Sequence, residues 1–273
     1  MSARKNHVQL FVGRAEQERI DLSLPQGKIC VRTIRSPEKQ TANEDAAAII
    51  QLGAESLVLA VADGVGGTPA GKDASNTAVE TLARVLCELP SDTASLRPAI
   101  LDAVEETNRL LLEAGRGAAT TLVVAQLDAL GLRSYHVGDS ELLVVGQRGR
   151  IKQRLVPHSP TGFAVEAGLL DEDEAVQHDQ RHVLFNVVGS PEMRVEVGPL
   201  LQLAVRDTVL LASDGLFDNL FIDEIVDAIR VGLLEAAADR LVERVGSRMN
   251  GKGAADHPCK PDDLTIVLFR PSQ

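Results

Sequence analysis

Four aspartates, each at an end of an apolar run, constrain this chain more than any other feature. They are Asp63 in VLAVADGVGG, Asp139 in SYHVGDSE, Asp214 in VLLASDGLFD, and Asp262, beside Asp263, in PDDLTIVLF. A Val/Leu/Ala-rich run with Asp at its tip, usually next to Gly, sets a carboxylate at the lip of a sheet where the chain turns sharply. One such pair is an ordinary turn, because Asp bonds its own backbone and Gly accepts positive φ. Four of them, far apart in sequence, predict a fold that gathers strand ends into one pocket of hard oxygen ligands.

The remaining pattern says what kind of fold that is. Residues 7–13, 28–35, 46–52 and 56–62 are short Val/Ile/Leu-rich runs and predict strands. From Ala70 to Cys87 the period changes, with Ala74, Ala78, Leu82, Val85 and Leu86 marking one face of a helix. A second helix is expected from an N-cap at Ser95 to Gly115, with Leu96, Ala99, Ile100, Ala103, Thr107, Leu110 and Leu111 on its buried stripe. Four strands follow at about 119–127, 131–137, 141–146 and 150–156, joined by turns short enough to favour antiparallel pairing. Residues 157–192 are polar, acidic from Asp171 to Glu174, and read as a flap. Strands are then expected at 195–204 and 207–213, helices at 222–230 and 235–249, a loop at 250–262 and a last strand at 263–269. Blocks of strands between blocks of helices, without a regular β-α-β rhythm, predict an α+β fold: a four-layer α-β-β-α sandwich of two antiparallel sheets flanked by helix pairs. Residues 1–273 are expected to form a single domain.

Charge and composition remove several function classes. With 39 acidic against 28 basic residues the net charge is −11, which disfavours nucleic acid and anionic membrane as partners. Cys30, Cys87 and Cys259 form no close pair, so no disulfide framework is expected and a cytoplasmic location fits. No run approaches the roughly 18 apolar residues of a membrane helix. Trp is absent and Tyr135 is the only Tyr, which leaves little material for base stacking.

If Asp63, Asp214 and Asp262 converge, their carboxylates and the Gly64 carbonyl form a ligand set suited to Mg²⁺ or Mn²⁺ rather than zinc. Two such ions roughly 3.5–4 Å apart polarise a phosphoryl group and activate a water for in-line attack, which is phosphoester hydrolysis. Other motifs read more plainly. Thr120, Thr121 and Ser140 support the site, His178 and His182 are surface residues, and His257-Pro258-Cys259 is a loop without a second metal-binding pair.

The motifs resemble the metal-dependent serine/threonine protein phosphatases of type 2C, in order along nearly the whole chain. Ala42-Asn43-Glu44-Asp45, Val61 to Gly67, Ala119-Thr120-Thr121, Val137-Gly138-Asp139-Ser140, His158-Ser159, Val188-Gly189, Ser213 to Asp218 and Asp262-Asp263-Leu264-Thr265 carry the resemblance. It implies that Asp63 bridges two metals and Gly64 offers its carbonyl. It also implies that Glu44 contacts the second metal, that Asp214 and Asp262 hold the first, and that Asp139 serves a third, weaker ion. The implied substrates are phosphoserine and phosphothreonine of proteins, opposing a serine/threonine kinase, with the phosphatase a monomer. Two positions depart from the family pattern. Gln40 stands where an Arg commonly grips the substrate phosphate, which directs the phosphate-binding role to Lys39. Val65 stands where some members carry a His that protonates the leaving oxygen. These departures keep open a non-catalytic alternative, a degenerate phosphatase that binds phosphoproteins.

Overall fold

The structure, a computed structural model, describes residues 6–13, 17–37, 39–65, 69–89, 96–254 and 257–272. The expected N-cap Ser95, and Gly66 and Gly67 of the second motif, lie outside the described residues. Numbering strands in chain order, one sheet runs β1 (His7–Phe11), β4 (Asp45–Leu52), β5 (Ser56–Val65), β7 (Leu122–Asp128), β8 (Gly131–Val137) and β11 (Glu196–Val197), with β6 (Ala119–Thr120) also on β5. The other runs β10 (Ile151–Arg154), β9 (Glu141–Val145), β12 (Thr208–Ala212), β13 (Leu264–Pro271), β3 (Gly27–Ile34) and β2 (Gln17–Leu24). Every strand pair is antiparallel.

The central strands are apolar on both faces because both faces are covered. On β4 and β5, Ala46, Ala48, Ile50, Val58, Ala60 and Ala62 pack under α1 (Pro69–Cys87) and α2 (Leu96–Ala114). Their alternates Ala47, Ile49, Leu57, Leu59 and Val61 meet Val209, Leu211, Val267 and Phe269 of the other sheet. The outer faces of β12 and β13, at Leu210, Ala212, Leu264, Ile266 and Leu268, pack on α6 (Ile222–Ile229) and α7 (Leu234–Met249). The small Ala side chains of β4 and β5 let α1 lie close to the sheet. The fold is therefore the four-layer α+β sandwich expected from sequence.

Several elements differ from expectation. Strand β2 went unread because QERIDLSL is polar at Gln17 to Arg19 and again at Asp21 and Ser23, yet Ile20, Leu22 and Leu24 face the inter-sheet core. It is an edge strand with one wet face. The expected strand at 195–204 shrinks to Glu196–Val197 and an isolated Leu132–Leu201 bridge, with Pro199 between them unable to donate to a ladder. The 119–127 run breaks at Thr121, whose N–H turns back to the Asp63 carbonyl at 2.8 Å. Residues 157–192 hold two short helices, α3 (Pro160–Glu166) and α4 (Glu172–Gln177). The acidic run starts α4, with Asp171 as its N-cap in a capping box with Glu174.

Candidate metal centre

The acidic residues meet because several strands begin or end at one rim of the sandwich. Asp45 opens β4 directly opposite Asp63 on β5. In the second sheet Ser213 and Asp214 follow β12, while Asp262 and Asp263 precede its neighbour β13. Asp139 follows β8. Hydrogen bonds tie the two rims together. Ser213 Oγ donates to Asp45 Oδ2 at 2.7 Å and accepts from Thr265 N at 3.0 Å. Asp263 accepts from the backbone N–H groups of Ser36 and Glu44, both at 2.8 Å.

Two glycines are set by close approach. A Cβ on Gly64 would lie 2.2 Å from the Gly71 carbonyl oxygen of α1, and one on Gly215 would lie 2.0 Å from the Asp263 carbonyl oxygen. Only Gly admits these crossings, which bring Asp63 against the start of α1 and Asp214 against Asp263. Gly215 belongs to α5 (Asp214–Phe217), a single turn not expected from sequence.

Every residue assigned to the site from sequence lines one cavity of about 480 Å³: Lys39, Glu44, Asp63, Gly64, Asp139, Asp214 and Asp262. Asp63 is pushed well above the usual carboxylate range, first by burial and then by the charges of Asp45, Asp214, Asp262 and Asp139. Burial raises Asp45 and Asp139 in the same way, with Asp263 and Asp214 respectively the strongest repelling charges. Asp218 and Asp262 are each raised to about 6 by burial and by Asp214, against the pull of Lys260. Carboxylates packed this tightly disfavour their own ionisation unless cations enter. Buried Asp45 Oδ1 and Asp214 Oδ1 also lack any hydrogen-bond partner. An all-oxygen donor set with unpaired buried oxygens fits hard divalent ions such as Mg²⁺ or Mn²⁺.

Sequence reasoning gave no role to Asp218, Lys260 or Asp263. Asp218 and Asp263 stood inside quoted motifs, whereas Lys260 lay in a segment read only as loop. Lys39 Nζ lies 2.5 Å from both Glu44 Oε2 and Asp263 Oδ2. Lys260 Nζ lies 2.6, 2.8 and 3.1 Å from Asp214, Asp218 and Asp262. Burial pulls the Lys260 ammonium toward neutrality, but the three carboxylates outweigh it and hold the proton well above the ordinary lysine range.

His136, His158 and Glu196 also converge closely enough to suggest a metal. Buried His136 Nδ1 has no hydrogen-bond partner, but the bonds of His158 speak against a metal here. His158 Nδ1 accepts from Gly138 N and Asn186 Nδ2, which leaves its proton on Nε2, facing Glu196. His136 donates from Nε2 to the Val156 carbonyl and stacks on His158 at 4.3 Å. Through two hydrogen bonds between His158 and the backbone of Gly138, the pair braces the turn that precedes Asp139. Burial first, then the facing His158, depress the buried His136 from 6.5 to about 4, despite its Val156 bond and nearby Glu196. A depressed histidine supports the fold above its unfolded pKa and withdraws that support as pH falls toward its folded one. Urea titrations of wild type and His136→Gln should therefore show the wild-type advantage shrinking by about 3 kcal/mol between pH 7 and 4. A pH-independent difference would contradict this assignment.

Comparison with known proteins gives a consistent result. Residues 36–252 match a family model described as Protein phosphatase 2C. Protein phosphatase PhpP of Streptococcus pneumoniae is 30% identical over 240 residues, covering 85% of this chain and 92% of PhpP. Serine/threonine protein phosphatase PstP of Mycobacterium tuberculosis is 28% identical over 220 residues, 77% of this chain, but the match spans only 40% of PstP. Among solved structures, the PPM Ser-Thr phosphatase MsPP from Mycobacterium smegmatis, in complex with cacodylate, superposes with a TM-score of 0.72 at 29% identity, covering 89% of this chain and 98% of MsPP. The catalytic domain of a PstP in complex with two manganese ions shares the fold, with a TM-score of 0.70 at 24% identity over 90% of this chain and 98% of that domain.

Proposed function

This chain belongs to the protein phosphatase 2C family, and from that premise we propose that it is a metal-dependent phosphatase acting on phosphoserine and phosphothreonine of proteins. The observation that carries the reading is the single cavity holding Glu44, Asp63, Gly64, Asp139, Asp214 and Asp262, with buried oxygens left unpaired. In this reading Asp63 and Gly64 would hold two Mg²⁺ or Mn²⁺ ions, Glu44 would serve one of them and Asp214 and Asp262 the other, and Asp139 would serve a third, weaker ion. When bound, such ions neutralise the phosphoryl oxygens and acidify a water for in-line displacement of the serine or threonine oxygen.

The protein's own contribution is positioning. Thr121 Oγ1 accepts from the Asp63 N–H and meets Ser140 Oγ at 2.6 Å, which fixes the tip of β5 against the start of β9. Ser213 holds Asp45, and Asp263 holds the backbone of Glu44. Val65 lines the cavity, so no imidazole stands at that position to protonate the leaving oxygen. We assign Lys39 to the substrate phosphate. Its Nζ already sits in the cavity, where a phosphate oxygen could exchange for one of its two carboxylate partners. Lys39→Ala is expected to raise KM for a phosphothreonine peptide several-fold with a smaller change in kcat, and an unchanged KM removes the assignment.

The segment 157–192 is read as a flap over the site, since His182 and Leu184 reach the cavity wall. Among the described residues no helix is long and apolar enough to cross a membrane. From the family we infer a cytoplasmic monomer in signalling, opposing a serine/threonine kinase. The test is turnover of p-nitrophenyl phosphate and a phosphothreonine peptide with Mn²⁺, abolished by EDTA. Turnover that survives chelation refutes the metal mechanism. Metal binding without turnover under any divalent ion favours the binding-only reading that Gln40 and Val65 keep open.

A further inference from the structure

Lys260 is not a stray surface lysine. Its backbone is clamped from both sides by Asn219, a fully buried residue: Asn219 Nδ2 donates to the Lys260 carbonyl at 2.8 Å, and Lys260 N donates to Asn219 Oδ1 at 2.9 Å. Pro261 follows and restricts the chain on the other side. The side chain, 24% exposed, therefore enters the cavity from a fixed base. Its ammonium has three N–H donors and meets one oxygen from each of three residues, Asp214, Asp218 and Asp262. Two of those residues, Asp214 and Asp262, are the ones assigned to the first metal ion.

A divalent ion drawing on Asp214 and Asp262 would stand within a few ångströms of this ammonium. At that separation the two cations repel strongly, and they compete for the same lone pairs. We propose that Lys260 is an intramolecular counter-cation of this carboxylate set, and that metal binds there by displacing it. The inference rests on the metal-centre reading above. It assigns Lys260 no part in the bond-breaking step. Its role is to keep the metal-free site assembled and to lower the site's affinity for metal, so that occupancy follows the concentration of free divalent ion. Lys39 holds a different pair of carboxylates in the cavity, Glu44 and Asp263, while Asp63 and Asp139 have no such lysine contact among the described hydrogen bonds and ion pairs.

The experiment is calorimetric titration of Mn²⁺ into chelator-stripped wild type, Lys260→Met and Lys260→Gln, with thermal melts of each before and after loading. Both variants should bind one Mn²⁺ roughly tenfold more tightly or better, since a full charge at contact distance is worth at least a decade in affinity. Their metal-free forms should melt lower than wild type and gain more on loading. Variants that bind Mn²⁺ no more tightly than wild type overturn the proposal. Should both variants fail to fold, lysine ¹⁵N spectra of wild type during a Mg²⁺ titration decide it. The Lys260 Nζ signal must move as the site fills, and a signal that stays put overturns the idea. Wild type that binds no Mn²⁺ at all would instead sink the metal-centre reading itself.

Discussion

Asp63→Asn is expected to lower turnover by ~10³-fold or more while making the metal-free protein more stable. The loss follows from removing the carboxylate proposed to serve both ions, since a charged group organised around the reacting centre is worth that much. The gain follows from the same crowding. Burial and the charges of Asp45, Asp214, Asp262 and Asp139 raise the Asp63 carboxyl well above 3.8, so ionising it at neutral pH costs folding free energy. A carboxyl raised in the folded state carries no penalty below its unfolded pKa and its full penalty above its folded one. The stabilisation from replacing this carboxyl by an amide should therefore be about 1–2 kcal/mol at neutral pH and should fade as the pH approaches 4. Denaturant titration in EDTA, with phosphatase assays in Mn²⁺, reads both effects. A variant that keeps a tenth of wild-type activity, or that is less stable than wild type without metal, would show that Asp63 does not have this role.

Arg154→Ala is expected to cost about 3–5 kcal/mol, because it strands a buried charge. Glu141 on β9 is 3% exposed, and burial raises its carboxyl against the opposing pull of Arg154. Arg154 Nε lies 2.8 Å from Glu141, and its Nη1 lies 2.8 Å from Glu172 at the start of α4. Glu141, Arg154 and Glu172 line a second cavity of about 250 Å³ that also reaches Asp139, Asp214 and Asp218, so the same change should loosen the wall beside the metal centre. Glu141→Gln added to Arg154→Ala should recover most of the loss, because a neutral amide tolerates burial that a carboxylate does not. A single-variant loss below about 1 kcal/mol, or a double variant no better than the single one, would contradict this account.

The fold was legible where one physical period dominated. The doubly covered strands β4, β5, β12 and β13 stand out as apolar runs, and α1 and α2 as helical stripes. Strand β2 hid behind its polar residues, and Pro199 cut short a strand that hydropathy alone extended. The carboxylates were legible because strand ends are conspicuous. Lys260 was not, because its place depends on Asn219, on Asp214 and Asp218 at the two ends of α5, and on Asp262 before β13, none of which spacing reveals.

Strand β13 sits in the interior of its sheet, between β12 and β3, although more than half of the described elements separate β3 from β13 along the chain. A ribosome must therefore release everything from Gly27 through Pro271 before this layer can close. Asp262 and Asp263 arrive with that closing strand. Enzymatic competence should consequently switch on only once β13 has emerged.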